Sequence, residues 1–186
     1  MNKNNEKEIR IKNIDLNIGR DIRFLLANEH ACLLPCSIEE TDDECIFHFD
    51  MEGMKAFEES KNLRLEDKYR LLYNIGEIES LTEEYYINLS PQNLVYDINL
   101  IPKLLLRDKK GDLNNPDFFE QYKALVASVI FHKYTFEQYF TGGAVIPEKS
   151  FINKSQGTKD LKNELLERYH SESETNNVQK LLVKKS

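Results

Sequence analysis

The 186-residue sequence is sparing with glycine, proline and cysteine, is short of positive charge, and has no long apolar run. Its apolar runs stop at about four residues, as in Ala124 to Ala127, whereas a transmembrane helix needs about 20. The opening MNKNNEKEIRIKN is polar and lacks the apolar region of a signal peptide. Three cysteines (Cys32, Cys36 and Cys45) are an odd set that does not suit a disulfide scaffold and fits a reducing compartment. These absences predict a soluble, cytosolic chain. Lys and Arg number 25 against 32 Asp and Glu, a formal net charge of −7. A general nucleic-acid backbone binder needs clustered positive charge, which this balance does not supply.

Apolar residues make up 40% of the chain, enough for a core. A domain of this length buries roughly two-thirds of its unfolded surface. EIRIK (Glu8 to Lys12) alternates and predicts a strand. Asp21 to Glu29 reads equally as helix or strand. ACLLPCS (Ala31 to Ser37) and ECIFHFDM (Glu44 to Met51) predict a hairpin joined by Glu39 to Asp43, with Pro35 confining its first strand to an edge or end. Cys45, Phe47 and Phe49 share one face of the second strand. Met54 to Ser60 predicts a short helix. Leu65, Tyr69, Leu72, Ile75 and Ile78 recur at helical spacing and predict a helix to about Leu81, with Gly76 its weak point.

A second strand group follows: Tyr85 to Leu89, Asn93 to Tyr96 and Ile101 to Arg107, then a polar loop from Asp108 to Asn115. Asn115-Pro116-Asp117 reads as a helix start capped by Asn115. Phe118, Tyr122, Leu125, Val126, Val129 and Ile130 line one face of the helix it opens, expected to be central. Thr135 caps a short helix ended by Gly142 and Gly143. Leu161, Leu165, Leu166 and Tyr169 mark a last helix. The end is polar, and Val178, Leu181 and Leu182 offer a possible extension of that helix.

YINLSPQNLVYDINLIPKLLLRD (Tyr86 to Asp108) is similar to the catalytic and metal loops of protein kinases. Leu89, Pro91, Asn93 and Leu94 match that pattern, but the residues that carry the chemistry do not. The catalytic-base position falls on Asn88, which cannot take a proton from a hydroxyl at neutral pH. The metal-binding carboxylate falls on Leu106, followed by Arg107 and Asp108. Phosphoryl transfer depends on positioning and charge neutralisation, so both losses matter together, and Asn93 alone cannot hold Mg²⁺. No glycine lies between Gly19 and Gly53, where a kinase has its glycine-rich loop, and the strand Glu44 to Met51 contains no lysine.

EDKYRLLYNI (Glu66 to Ile75), YINLSPQNLVYD and FFEQYKALVASVIFHKYTFEQYFTGG (Phe118 to Gly143) come in an order and spacing that resembles the cytoplasmic domain of the EssB/YukC family. That family belongs to type VII (ESX/WXG100) secretion systems, and the resemblance covers about residues 8–172. It implies an α+β, reduced protein-kinase-like (pseudokinase) two-lobe fold. A small β-rich N-lobe would span about 1–64 and a mainly helical C-lobe 65–175, with a polar tail over 176–186. It implies a non-catalytic interaction module supporting export of WXG100-type substrates, with no cofactor and no metal. The implied partners are the secretion ATPase and, as a second candidate, the system's small ubiquitin-like component. The full-length protein would be a homodimer at the cytoplasmic face of the membrane. Family members continue into a transmembrane helix and an extracytoplasmic region, so this chain is expected to represent the cytoplasmic domain alone, meeting membrane only through those segments. The rival reading is an atypical nucleotide-binding kinase-like enzyme with residual activity, drawing on Asp97, Lys103 or Asp108. A small adaptor unrelated to secretion is a further alternative.

Other groupings favour structural roles. Cys32, Cys36, Cys45 and His48 could be combined as a zinc site, but a four-residue step along a strand spans about 13 Å. His30, His48, His132 and His170 show no partner pattern, and a cationic His132 would suit a helix C-terminus. Ser90 lacks the context of a hydrolase nucleophile. The acidic runs Glu39 to Glu44 and Glu77 to Glu84 read as solvated surface, and the aromatics Tyr134, Phe136, Tyr139 and Phe140 as core first, interface second.

Overall fold

The computed structural model describes residues 5–12, 30–109 and 116–183. The ambiguous segment Asp21 to Glu29, the expected cap Asn115 and the loop glycine Gly111 lie outside the described residues.

Alternation builds the first sheet. Strands β1 (Glu6–Lys12), β2 (Cys36–Glu40) and β3 (Glu44–Asp50) form an antiparallel sheet in the order β1-β3-β2. The register sets Ile9 and Ile38 on either side of Phe47. Cys45, Phe47 and Phe49 are buried with Leu34, Val95 and Leu105 in one apolar cluster. The expected hairpin is present, but its first strand begins at Cys36 rather than Ala31. Pro35 stands just before it, and only Thr41 to Asp43 make the turn. Cys32 therefore does not lie on that strand, and the strand-spacing argument does not apply to it. None of the three cysteines forms a disulfide. Burial, the main cause, pushes the thiols of Cys32 and Cys36 up, which favours the protonated form.

The predicted helix Met54 to Ser60 is instead strand β4 (Lys55–Ala56) and a 3₁₀ turn Phe57–Asn62. Helix α1 (Leu65–Ile75) is shorter than expected and continues as 3₁₀ over Gly76–Glu83. The change comes where Gly76 is pressed against a neighbouring helix. A Cβ there would lie 2.6 Å from Lys162 Cδ and 2.9 Å from the Tyr122 hydroxyl. Tyr69, Leu72, Ile75 and Ile78 are buried as the spacing predicts, whereas Leu65 is 42% exposed.

The first two strands of the second group, expected at Tyr85 to Leu89 and Asn93 to Tyr96, do not pair with each other. Strand β5 (Tyr85–Tyr86) pairs with β8 (Asp108–Lys109). The hairpin is β6 (Leu94–Tyr96) with β7 (Pro102–Leu104), and β4 pairs with the outer side of β6. Helix α2 (Phe118–Phe131) is central as predicted, with Tyr122, Leu125, Val126 and Ala127 fully buried. Its cap is Asp117, whose carboxylate accepts from Glu120 N, in place of the expected Asn115. Helix α3 (Phe136–Phe140) carries the predicted Thr135 cap, closed reciprocally by Gln138. A short helix α4 (Phe151–Lys154) precedes α5 (Thr158–Val183), which continues through the extension offered at Val178, Leu181 and Leu182. Leu161 and Leu165 pack with α1 and α2 in the larger apolar cluster. Phe136 and Tyr139 belong to that cluster too, while Tyr134 and Phe140 stand about one-third exposed.

Candidate interaction site

The kinase-like positions meet around one buried side chain. Asn93 is 4% exposed and ends the 3₁₀ turn Pro91–Asn93. Its Oδ1 accepts from Leu106 N at 2.6 Å. Its Nδ2 donates to Asn88 O at 2.9 Å and to Leu106 O at 3.3 Å. The structure thus brings Asn88, Asn93 and Leu106 together, through backbone atoms of the outer two. The Asn88 side chain turns back on its own loop, its Oδ1 accepting from Ser90 N at 2.8 Å. An amide held by three backbone groups is a structural clasp.

Two further residues hold this loop that the sequence reading did not single out. Gln121, 2% exposed, accepts from Leu89 N and donates to Ile87 O and Pro116 O. Its signal was available: it lies three residues from Phe118 and four from Leu125, a polar residue on the apolar face of α2. Arg107, 5% exposed, donates to the carbonyls of Leu34 and Leu105, which ties the hairpin to the segment entering the first sheet. Burial works against its charge. An arginine closing the run LLLR was the corresponding signal.

Of the residues of the rival reading, Asp97 and Lys103 bond to nearby backbone. Asp97 Oδ1 accepts from the backbone N–H groups of Asn99 and Ile101. Lys103 Nζ reaches Ala31 O at 3.3 Å. Asp108 lies in β8. Among the described residues, no group of three or more His, Cys, Asp or Glu is placed to hold a metal ion.

The four histidines are scattered. His48 stands between Glu8 and Glu39, at 3.6 and 3.7 Å, across the first sheet. His30 accepts from Cys32 N, and the ring of His170 leans on Tyr169. His132 does not act as the cationic helix end expected of it. Its Nε2 lies 2.9 Å from the ammonium of Lys68, which is 8% exposed, so the imidazole serves as acceptor. Partial burial, and then Lys68, pull its pKa below the ordinary value. The sign follows: below about pH 6.5 the unfolded chain binds a proton that the folded chain resists, so folding stability falls on acidification. Thermal melts from pH 7.5 to 5 should show a smaller acid loss for His132→Asn than for the parent.

Beside the clasp lies a recess of about 380 Å³. Its walls include Phe57, Lys61, Pro91, Val129, His132, Tyr134 and Phe136. A second recess, of about 300 Å³, lies at the start of α1 and is lined in part by Arg64, Arg70, Tyr96 and Ile98. The acidic runs are partly engaged: Glu77 pairs with Lys162, Glu79 accepts from the Thr158 hydroxyl and Glu44 pairs with Arg10. Among the described residues, no helix is long and apolar enough to cross a membrane.

Two solved structures share this fold. The cytoplasmic fragment of Staphylococcus aureus ESSB superposes with a TM-score of 0.70 at 21% identity, covering 89% of this chain and 99% of that one. The Geobacillus thermodenitrificans EssB cytoplasmic fragment gives 0.76 at 13% identity, covering 92% and 88%. At these identities the likeness is one of fold. No curated protein sequence matches the chain. The model of the WXG100 protein secretion system (Wss) protein YukC matches residues 9–186, nearly the whole length, and on that ground the chain belongs to the YukC family of WXG100 (type VII) secretion-system components.

Proposed function

We propose that this chain is a non-catalytic, pseudokinase-like interaction module of the type VII secretion machinery, supporting export of WXG100-type substrates. In this reading a β-rich N-lobe over about 1–64 and a helical C-lobe over 65–175 form a reduced kinase-like pair. The observation that carries it is the state of Asn93. The one kinase-like polar residue retained in the loop has both ends of its amide bonded to backbone. A Mg²⁺ site needs oxygen ligands free to face the ion, several of them anionic. The loop retains the frame of such a site while Asn88 and Leu106 take the positions of its carboxylates.

A module of this kind works by binding. Its proposed partners are the secretion ATPase and, second, the small ubiquitin-like component, at the cytoplasmic face of the membrane. Homodimerisation belongs to the full-length protein. The test is a thermal-shift series with ATP and ADP, with and without Mg²⁺ and Mn²⁺. A ligand at 100 times its Kd adds about 2.7 kcal/mol to folding stability. The expected result is an unchanged melting temperature up to millimolar nucleotide. A metal-dependent rise of several degrees overturns the non-catalytic reading.

A further inference from the structure

We infer that the outer edge of β1 pairs antiparallel with the same edge of a second copy, about a two-fold axis at Ile9, joining the two first sheets into one. The inference goes beyond the homodimer proposed for the full-length protein, because it gives this domain a contact of its own. It is independent of the non-catalytic reading. In the order β1-β3-β2, β1 has β3 on one side and, among the described residues, no strand on the other. All of Glu6–Lys12 keeps one register with β3, so no bulge twists the edge away, and the strand contains neither proline nor glycine.

The ladder fixes which backbone groups face out. Antiparallel pairs alternate between those that exchange hydrogen bonds and those that do not. Met51 N donates to Asn5 O, one step beyond the pair Glu6↔Asp50, so the odd residues Lys7, Ile9 and Ile11 bond to β3. Across β3, Thr41 N donates to Glu44 O, which turns the even residues of β3 to β2 and agrees. The N–H and C=O groups of Glu6, Glu8, Arg10 and Lys12 therefore point out of the sheet edge.

A second strand must match both this phase and the side chains. Centred on Ile9, two copies of β1 set Glu6 opposite Lys12 and Glu8 opposite Arg10. The two-fold axis repeats both, and every pair is of opposite charge, which stabilises a ladder. Sliding by two residues sets Glu8 against Glu8 or Arg10 against Arg10 and shortens the overlap. Neighbouring charges do not cancel this order. Glu6 stands opposite Asp50 and has no ion pair among the described residues, so a lysine from the other side offsets a like-charge pair. Lys12 has none either, since Glu44 opposite it is engaged by Arg10. Glu8 and Arg10 bond to each other and stay about half exposed, with His48 3.6 Å from Glu8. On the other face, Ile9 and Ile11 pack against the cluster of Cys45, Phe47 and Phe49. Ile9 meets its own copy as a non-hydrogen-bonded pair, the closer kind, and extends that cluster. Lys7, the cation on this face, is drawn off to Gln92 O at 3.2 Å. Charge usually guards an edge. Two acids followed by two bases guard it against other strands and not against a second copy.

Seven residues a side fall well short of the roughly 20–30 of a standard interface, so the contact is weak in the separate domain. It gains from any tether that holds two copies close. The test is sedimentation equilibrium of the chain up to millimolar concentration, with amide hydrogen exchange at low and high concentration. The expected result is a reversible dimer, with protection rising at the amides of Glu6, Glu8, Arg10 and Lys12. Glu6→Lys and Lys12→Glu, both at exposed positions, each create two like-charge pairs through the axis. Each should weaken the dimer about fivefold or more, and the double variant, which restores the pairing, should return to within about twofold of the parent. Net charge alone predicts otherwise: in a chain of −7, Glu6→Lys would strengthen association. A chain monomeric at millimolar concentration, protection confined to other segments, or a double variant no better than the single ones overturns the proposal. A chain that stays monomeric, yet melts independently of nucleotide, keeps the module reading and loses only this contact.

Discussion

Replacing Asn93 by leucine should lower the unfolding free energy by about 3 kcal/mol or more, read from urea unfolding at pH 7. Each buried polar group left without its partner costs about 1–3 kcal/mol. The substitution strips a partner from Leu106 N, Leu106 O and Asn88 O at a site 4% exposed. Leucine is similar in size, so the loss reports hydrogen bonding more than volume. The sharper comparison is Asn93→Asp. One carboxylate oxygen can still accept from Leu106 N, but the other then faces two carbonyl oxygens in place of a donor. Asp should therefore be nearly as damaging as Leu at pH 7 and should recover in part on acidification, because a protonated carboxyl can again donate. A surviving metal site predicts the reverse: Asp, the better oxygen ligand, would fold well and gain stability with Mg²⁺. An Asn93→Asp variant that melts with the parent and responds to Mg²⁺ would sink the structural role.

The sequence was legible where burial and alternation agree over short range. Cys45, Phe47 and Phe49 sit on one face of a strand, and the structure buries all three. The helix from Phe118 was equally plain, since its apolar residues recur through four turns. What could not be read depends on atoms far apart in the chain. Gly76 was legible as the weak point of its helix, and α1 ends there, but the close approach of Lys162 and Tyr122 to that glycine was not. The strand Tyr85–Tyr86 stops short of Leu89 because its partner is Asp108–Lys109, not the neighbouring Asn93 to Tyr96. At the candidate site, residue type was visible and partnership was not. Alignment to a kinase-like loop picked out Asn88, Asn93 and Leu106. Only coordinates show that Asn93 spends its amide on backbone groups five and thirteen residues away. His132 shows the same limit: a cation at a helix end is a sound local expectation, and the buried ammonium of Lys68 reverses it.

Gln121→Leu should cost about 2–4 kcal/mol, by the same orphaned-group reasoning applied to Leu89 N, Ile87 O and Pro116 O. Its larger interest lies in its coupling to Asn93. Gln121 holds Ile87 and Leu89 from the side of α2, and Asn93 holds Asn88 between them from the hairpin. Three consecutive residues are thus clasped by two amides on different elements. Either amide alone keeps the loop near its place, and the second then forms its bonds at lower entropic cost. Once one is removed and the loop relaxes, less is left for the other to lose. The double variant should therefore be destabilised by at least about 0.5 kcal/mol less than the sum of the two single ones. Additivity within that margin would mean that the two clasps act on independent parts of the structure. Coupling would mean that the loop from Ile87 to Asn93 is one cooperative unit, held from α2 and from the turn before β6 together.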